Sequence, residues 1–477
     1  MTLARGASIL IYVITRRRFA VGAAALVAGS RLTAYQTPDR VKEMNTILAR
    51  ITPPQFPDRS FDIVKFGAVA GGEKDCTEAI GKAIAACAQA GGGRVVVPRG
   101  EFLTGPVHLK SNMSLHLEEG STLKFSRDIK KFLPVVLTRF EGTECMNYSP
   151  LIYALDQTNI GVTGAGMLDG QADKDHWWPS KGNSKQPGAP SSKADADALV
   201  AMGDKDVPVS QRVFGEGHYL RPAFFQPYRC TNVIIEGVSI RNSPMWELNP
   251  VLCHNVTVRG VKIASFGPNN DGCDPEACTD VLIEGCVFET GDDCIAIKSG
   301  RNRDGRRVGV ACENIIVRDC TMKDGHGGVS LGSEGSGGIH NVFIDNCRMD
   351  SPNLQRALRL KTNTFRGGSY ENVYFTNSTV GQVAEAVVDV DFFYPEYDNR
   401  EGRGGPFKPM VSNVVVEHVT SQSSKRAVYL KGYDNAPVSG VRIAHCTFNN
   451  VKEADVIENV RDLQLEDDKR NGKEMTR

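Results

Sequence analysis

One phrase of apolar and polar positions recurs along the chain. It is an Asn, three residues with apolar ones at the ends, two polar or Gly positions, then a small or apolar residue. It reads Asn232-Val-Ile-Ile-Glu-Gly-Val238, Asn255-Val-Thr-Val-Arg-Gly-Val261, Asp280-Val-Leu-Ile-Glu-Gly-Cys286, Asn314-Ile-Ile-Val-Arg-Asp-Cys320 and Asn341-Val-Phe-Ile-Asp-Asn-Cys347. Later copies begin at Asn372, Asn413 and Gly440, and an earlier one at Asn159. From Asn232 onward the starts are 23, 25, 34, 27, 31, 41 and 27 residues apart. Each copy predicts a short β-branched strand with period-two alternation. A period of about 20–50 residues marks a solenoid or a propeller. The spacing is too short for propeller blades of ~40–45 residues, and no amphipathic helix separates the copies. An all-β parallel β-helix remains, in which each coil buries its open face by stacking on the next. The recurrent Asn suits a turn, and its amide can bond the coil above.

Before the coils, Asp75-Cys-Thr-Glu78 has the form of a capping box. Ile80, Ala83, Ile84 and Cys87 then share a helical face, and Gly91-Gly92-Gly93 ends it. This predicts a short N-terminal helix that caps the solenoid. Cys286, Cys320, Cys347 and Cys446 occupy one phase of the repeat. Coils ~4.8 Å apart hold such side chains parallel rather than facing, so they read as small interior hydrophobes. The sharper alternative is a zinc site of Cys273, Cys278, Cys286 and Cys294, but its spacings contain no C-x-x-C. With 13 cysteines in all, at least one has no partner within the chain.

Composition narrows the field. The chain is 41% hydrophobic and 23% charged over 477 residues, which excludes a disordered or fibrous protein. Lys+Arg and Asp+Glu both number 56, so nothing global favours nucleic acid or a membrane surface. A polyanionic substrate would need a local basic cluster, and Lys298 to Arg307 supplies cations. Thr15-Arg-Arg-Arg-Phe19 followed by the small apolar run Ala20–Gly29 reads as a bacterial twin-arginine export signal, too short to span a membrane. A short membrane anchor is the bland alternative. The expected organisation is a signal over 1–36, a linker over 37–60, a catalytic solenoid over 60–460 with an insert at 169–230, and a loose charged tail over 461–477. A periplasmic or extracellular monomer follows.

Four short motifs fall in successive copies: Asn269-Asn-Asp271, Gly291-Asp292-Asp293, Gly325-His326-Gly327 and Arg359-Leu-Lys361. Alone, each is more often a turn or a surface strand. Together they sit at similar distances after their repeat starts, with Asp271 by 16, Asp292 by 12, His326 by 12 and Arg359 by 18. Equal phase in a solenoid means one face, so they predict one groove. Clustered carboxylates cannot all ionise at equal cost, which leaves a proton donor beside an ionised acceptor. That combination serves glycosidic cleavage. An Arg and a Lys two apart point the same way, ready for a substrate carboxylate.

At these residues, and in the stretch Asp319 to Ser333, the sequence resembles the polygalacturonases of glycoside hydrolase family 28. The resemblance implies a right-handed parallel β-helix that hydrolyses α-1,4 galacturonosidic bonds with inversion and without a metal or other cofactor. It makes Asp292 the general acid, Asp271 and Asp293 the carboxylates that activate water, and His326 the support of the acid. Arg359 and Lys361 become the clamp on the galacturonate carboxylate, Asn269 a substrate-side asparagine and Tyr394 the substrate-contacting tyrosine. Asn270 replaces the family's usual threonine and Leu360 its isoleucine. The alternatives are a rhamnogalacturonan hydrolase, which the Arg-x-Lys pair counts against, a calcium-dependent lyase, and a catalytically silent carbohydrate-binding β-helix. The long insert carries His176-Trp177-Trp178-Pro179 and Gly215-Glu-Gly-His218-Tyr219. Its aromatic rings suit sugar faces, with packing on the outer sheet as the alternative. Similar insertions close the groove in exo-acting family members, so an exo-polygalacturonase is expected over an endo one.

Overall fold

The computed structural model describes residues 40–182, 190–396 and 402–476. The export signal expected over 1–36 lies outside them. Val41–Arg477 form one compact unit. Its coils stack in register. Val233, Val256, Val281, Ile315, Val342, Val373, Val414 and Val441 are successive partners in one parallel sheet. Each follows the first residue of its repeat phrase, and all are buried. Two sheets of thirteen strands form two faces of the solenoid, and a three-stranded and a six-stranded sheet supply the third.

The turn residue of the phrase takes positive φ, 57° at Asn232 and 59° at Asn314, a conformation that a short amide side chain tolerates. The amides link coil to coil: Asn232 donates to Asn159 at 2.8 Å, Asn255 to Asn232 at 2.7 Å, Asn341 to Asn314 at 3.0 Å and Asn413 to Asn372 at 2.7 Å. The ladder departs from this rule at Asp280 and at Gly440. Asp280 carries no amide to pass on to Asn255. Arg50 bonds Asp280 at 2.7 Å instead, and the backbone of Thr52 brackets the Asn255 amide at 3.1 and 2.7 Å.

Those contacts correct the expectation of a linker over 37–60. Helix α1, Arg40–Leu48, lies against the outside of the solenoid. Ile47 and Ile51 pack on Leu282, Ile316, Phe343, Tyr374 and Val415. These five occupy the outward position of their strands, and apolar side chains there require a cover. Helix α2, Thr77–Gln89, buries Ala79, Ile80, Ala83, Ile84 and Cys87 in the main core, as the face predicted. Its start differs from a capping box: Asp75 accepts from Thr77 N at 2.9 Å, and Glu78 pairs with Lys82 at 2.7 Å.

The charged tail is also ordered. Gln464–Glu466 and Lys469–Arg470 join the two long sheets as a last coil, pinned by buried Leu463 and by Asp468, which accepts from Cys446 N at 2.8 Å. All thirteen cysteines are buried free thiols. Among the described residues, the four cysteines of the zinc alternative do not converge.

The excursion expected over 169–230 is back in the solenoid by Phe225–Tyr228. It holds helix α3, Lys193–Asp204, and a short strand, Val213–Phe214. That strand pairs with an unforeseen hairpin, Val136–Phe140 and Thr143–Asn147. Buried ion pairs lock this layer down, Arg212 to Asp304 at 2.7 Å and Arg139 to Glu276 at 2.9 Å.

Candidate active site

The third face carries the chemistry. Strands Ile295–Ile297, Val329–Gly332 and Arg356–Lys361 are neighbours, with Ser330 opposite Arg359 and Gly332 opposite Lys361. Adjacent Asp292 and Asp293 would diverge on a strand, but they lie in the turn between Val287–Thr290 and Ile295–Ile297. Thr290 Oγ1 donates to the Asp292 carbonyl at 2.8 Å, and Asp293 N donates to Asp292 Oδ1 at 3.0 Å. The Gly-His-Gly motif makes room for them. A Cβ on Gly325 would meet the Asp292 carbonyl at 2.3 Å, and one on Gly327 would meet Asp293 Oδ1 at 2.9 Å.

All four motifs converge. His326 Nδ1 bonds Asp292 Oδ1 at 2.8 Å. Asp293, fully buried, accepts from Ser330 Oγ at 2.8 Å and from Lys361 Nζ at 2.6 Å, with Arg359 at 3.6 Å. Asp271, Asp292 and Asp293 each bring an oxygen within 4.8 Å of the others. A divalent cation could use that donor set, but Lys361 and Lys298, 3.8 Å from Asp271, already bring positive charge to two of the three. Asn269, Asp271, Asp292, Lys361 and Tyr394 line one cavity of about 200 Å³. That is small beside the ~300–1,000 Å³ of most ligand clefts. The Tyr394 ring lies 5.8 Å from the Arg359 guanidinium and 5.4 Å from Lys361 Nζ.

The three carboxylates are not equivalent. Burial and then the neighbouring Asp274 and Asp292 push Asp271 well up, against the pull of Lys298. Burial also works to raise Asp293, but Lys361 and Arg359 outweigh it and hold it well below the usual carboxylate range. His326 is raised by its bond to Asp292, against burial. A retained proton and an ionised carboxylate therefore share one small site.

Sequence reasoning named Lys298 and Arg301 only as part of a basic run and missed several other residues here. Arg221, buried and delivered by the excursion, donates to Asn269 Oδ1 at 2.7 Å. Lys298 sits 3.3 Å from Glu334 and 4.4 Å over the Trp246 ring, and Glu141, Lys181, Arg301 and Arg366 complete the cavity wall. Of the basic run after Lys298, only Lys298 and Arg301 reach the cavity; Arg303 pairs with Asp206 and Arg307 with Asp304. The insert's tryptophans are packing groups. Trp177 is buried against Phe132 and Tyr148, and Trp178 Nε1 donates to the Ser243 carbonyl at 2.8 Å. Residues of this kind carry no local pattern, because long-range packing alone brings them to the site.

The chain as a whole is similar to known proteins. The family model described as glycosyl hydrolases family 28 matches residues 212–467. A probable polygalacturonase of Vitis vinifera is 27% identical over 408 residues, 83% of this chain and 75% of that protein. An exo-poly-alpha-D-galacturonosidase of Dickeya chrysanthemi is 26% identical over 76% of this chain and 62% of its own. The crystal structure of a hyperthermoactive exopolygalacturonase from Thermotoga maritima superposes with a TM-score of 0.88 at 46% identity, covering 91% of this chain and 97% of that one. With the motifs gathered in one site and the family model spanning more than half of the sequence, the chain belongs to the glycosyl hydrolases of family 28.

Proposed function

We propose that the protein hydrolyses the α-1,4 bonds of polygalacturonate from the non-reducing end, releasing one galacturonate at a time. A single column of outward residues carries this reading. Tyr228, Val251, Glu276 and Lys298 are successive register partners along the third face, as are Gly332, Lys361, Asp391, Lys431 and Glu458, and the pairing of Ile297 with Leu331 sets Lys298 and Gly332 at the junction of the two runs. Tyr228, Val251 and Glu276 are fully buried beneath the hairpin of residues 136–147, through Val136, Leu137 and Arg139. Lys298 and Lys361 line the cavity. Asp391 and Lys431 are half-buried and Glu458 is exposed. Among the described residues, the groove is thus blocked on the N-terminal side of the carboxylates and open on the other. Arg359 and Lys361, the clamp for the leaving side, stand toward the open end, so the blocked end receives the terminal sugar whose C1 is cut. The names of the Thermotoga and Dickeya relatives agree with exo action.

The acid–base work falls on Asp271 and Asp292, the two members of the aspartate cluster that line the cavity. One proton between them provides a donor and an acceptor together. Asp293 holds Lys361 in place. The expected form is a monomer. The twin-arginine pattern of Thr15–Phe19 and a polymeric plant substrate suit an exported enzyme.

A time course on polygalacturonate tests the polarity, following viscosity and product size together. Monomer from the first time point with a slow viscosity fall is expected. An early viscosity collapse with mixed oligomers would show an open groove.

A further inference from the structure

The hairpin that blocks the groove does more than fill space. Its tip is Glu141-Gly142, with φ of 43° and 81°. It is pressed into the cavity wall, where the Gly142 carbonyl accepts from Arg301 N at 3.0 Å. A Cβ at Gly142 would meet that nitrogen at 2.8 Å and Glu334 Cγ at 2.9 Å. The tip therefore has one position, and it presents the Glu141 side chain to the same cavity that Asp271 and Asp292 line. The carboxylate is held on two sides. Arg301 Nη1 donates to Oε2 at 3.1 Å, and Lys181 Nζ, brought by the excursion, stands 3.6 Å from Oε1. Lys181 and Arg301 also line the cavity. Glu141 lines the cavity and its side chain remains 22% exposed, so this ionic pairing does not cover it.

We infer that Glu141 reads the end of the substrate chain, its carboxylate accepting a hydrogen bond from the free 4-hydroxyl of the terminal galacturonate. The inference rests on the exo reading above. In an α-1,4 chain every 4-oxygen is glycosylated except the one at the non-reducing end. A fixed acceptor at the blocked end is therefore satisfied by a chain end and by no internal residue. An ionised acceptor makes the stronger kind of hydrogen bond. Sites built to bond a substrate hydroxyl reject an analogue that lacks it, because the site's polar group is left unpaired. Glu141 is a specificity-determining residue here and takes no part in proton transfer.

The test pairs two substrates with the wild type and with Glu141→Ala and Glu141→Leu, the second keeping bulk without an acceptor. One substrate is a saturated trigalacturonate. The other is a trimer whose terminal residue is the 4-deoxy, 4,5-unsaturated unit left by β-elimination, which has no 4-hydroxyl. The wild type should prefer the saturated trimer by about ten-fold or more in kcat/KM, and either variant should lose most of that preference through slower use of the saturated trimer alone. Thermal melting identifies a variant that fails to fold, and the other then decides. An equal preference in wild type and variants, or no preference in the wild type, overturns the assignment. Failure of the exo reading shows separately, as mixed oligomers released from polygalacturonate by the wild type.

Discussion

Lys361 Nζ donates a hydrogen bond of 2.6 Å to Asp293 Oδ2, joining residues 68 apart in sequence. Lys361 is 5% exposed and Asp293 is not exposed at all. A buried charge is tolerable when paired and expensive when left alone, and breaking such a pair costs ~3–5 kcal/mol. The resemblance makes Lys361 half of a substrate clamp, whereas the geometry ties it first to a carboxylate. Arg359, at 3.6 Å, is the freer arm.

Lys361→Ala and Arg359→Ala should therefore differ. Both should lower kcat/KM several-fold or more, since charge-assisted bonds contribute ~1.5–3 kcal/mol. Only Lys361→Ala should also lower Tm clearly, because it leaves the buried Asp293 without its hydrogen-bonded cation. Identical behaviour of the two variants in both readouts would place the clamp elsewhere.

Asp292→Asn should remove nearly all turnover of polygalacturonate while leaving stability within about 1 kcal/mol. A positioned general acid contributes roughly 10²–10⁴ in rate. Asp271 is the carboxylate whose proton burial favours, so the two roles need separating. An aryl galacturonide with a good leaving group needs little protonation. Asp292→Asn should recover most of its activity on that substrate, and Asp271→Asn should not. The reverse pattern would exchange donor and acceptor.

The His326–Asp292 pair makes a pH-dependent contribution to stability. His326 is raised in the folded state by its bond to Asp292, against burial. A raised base contributes stability that is fully present below its unfolded value, ~6.5, and lost as pH rises through the folded one. The Tm difference between wild type and His326→Gln should be larger near pH ~5 than near pH ~9. A difference independent of pH would mean that the imidazole is not charged in the pair.

Stereochemistry gives a further check. Acid and base of inverting enzymes usually stand ~6.5–9.5 Å apart, and retaining pairs ~5–5.5 Å. Here the three carboxylates come within 4.8 Å of one another, which by spacing alone suggests retention. Asp293, however, is buried with both oxygens bonded, and Asp271 favours its protonated form, so neither is poised as a nucleophile. Inversion is the expected outcome, with the β-anomer appearing first when hydrolysis is followed by proton NMR. First appearance of the α-anomer would require a covalent intermediate.

The repeat phrase by itself determined the solenoid, because one residue type at one phase, the Asn of each turn, bonds its copy in the next coil. It also determined which four motifs share a face, since stacking converts phase into position. Helix α1 was half legible: Leu282, Ile316, Phe343, Tyr374 and Val415 are apolar at an outward position, a signal that something must cover them. What covers them, and what closes the groove, was decided only in three dimensions. Residues 136–147 form an antiparallel pair with no repeat to betray it, and its role depends on Arg139 meeting Glu276 across 137 positions of sequence. The same holds for Arg221, Lys181 and Glu141. Their chemistry is set by partners brought close by packing, and a partner distant along the chain leaves no periodic trace in it.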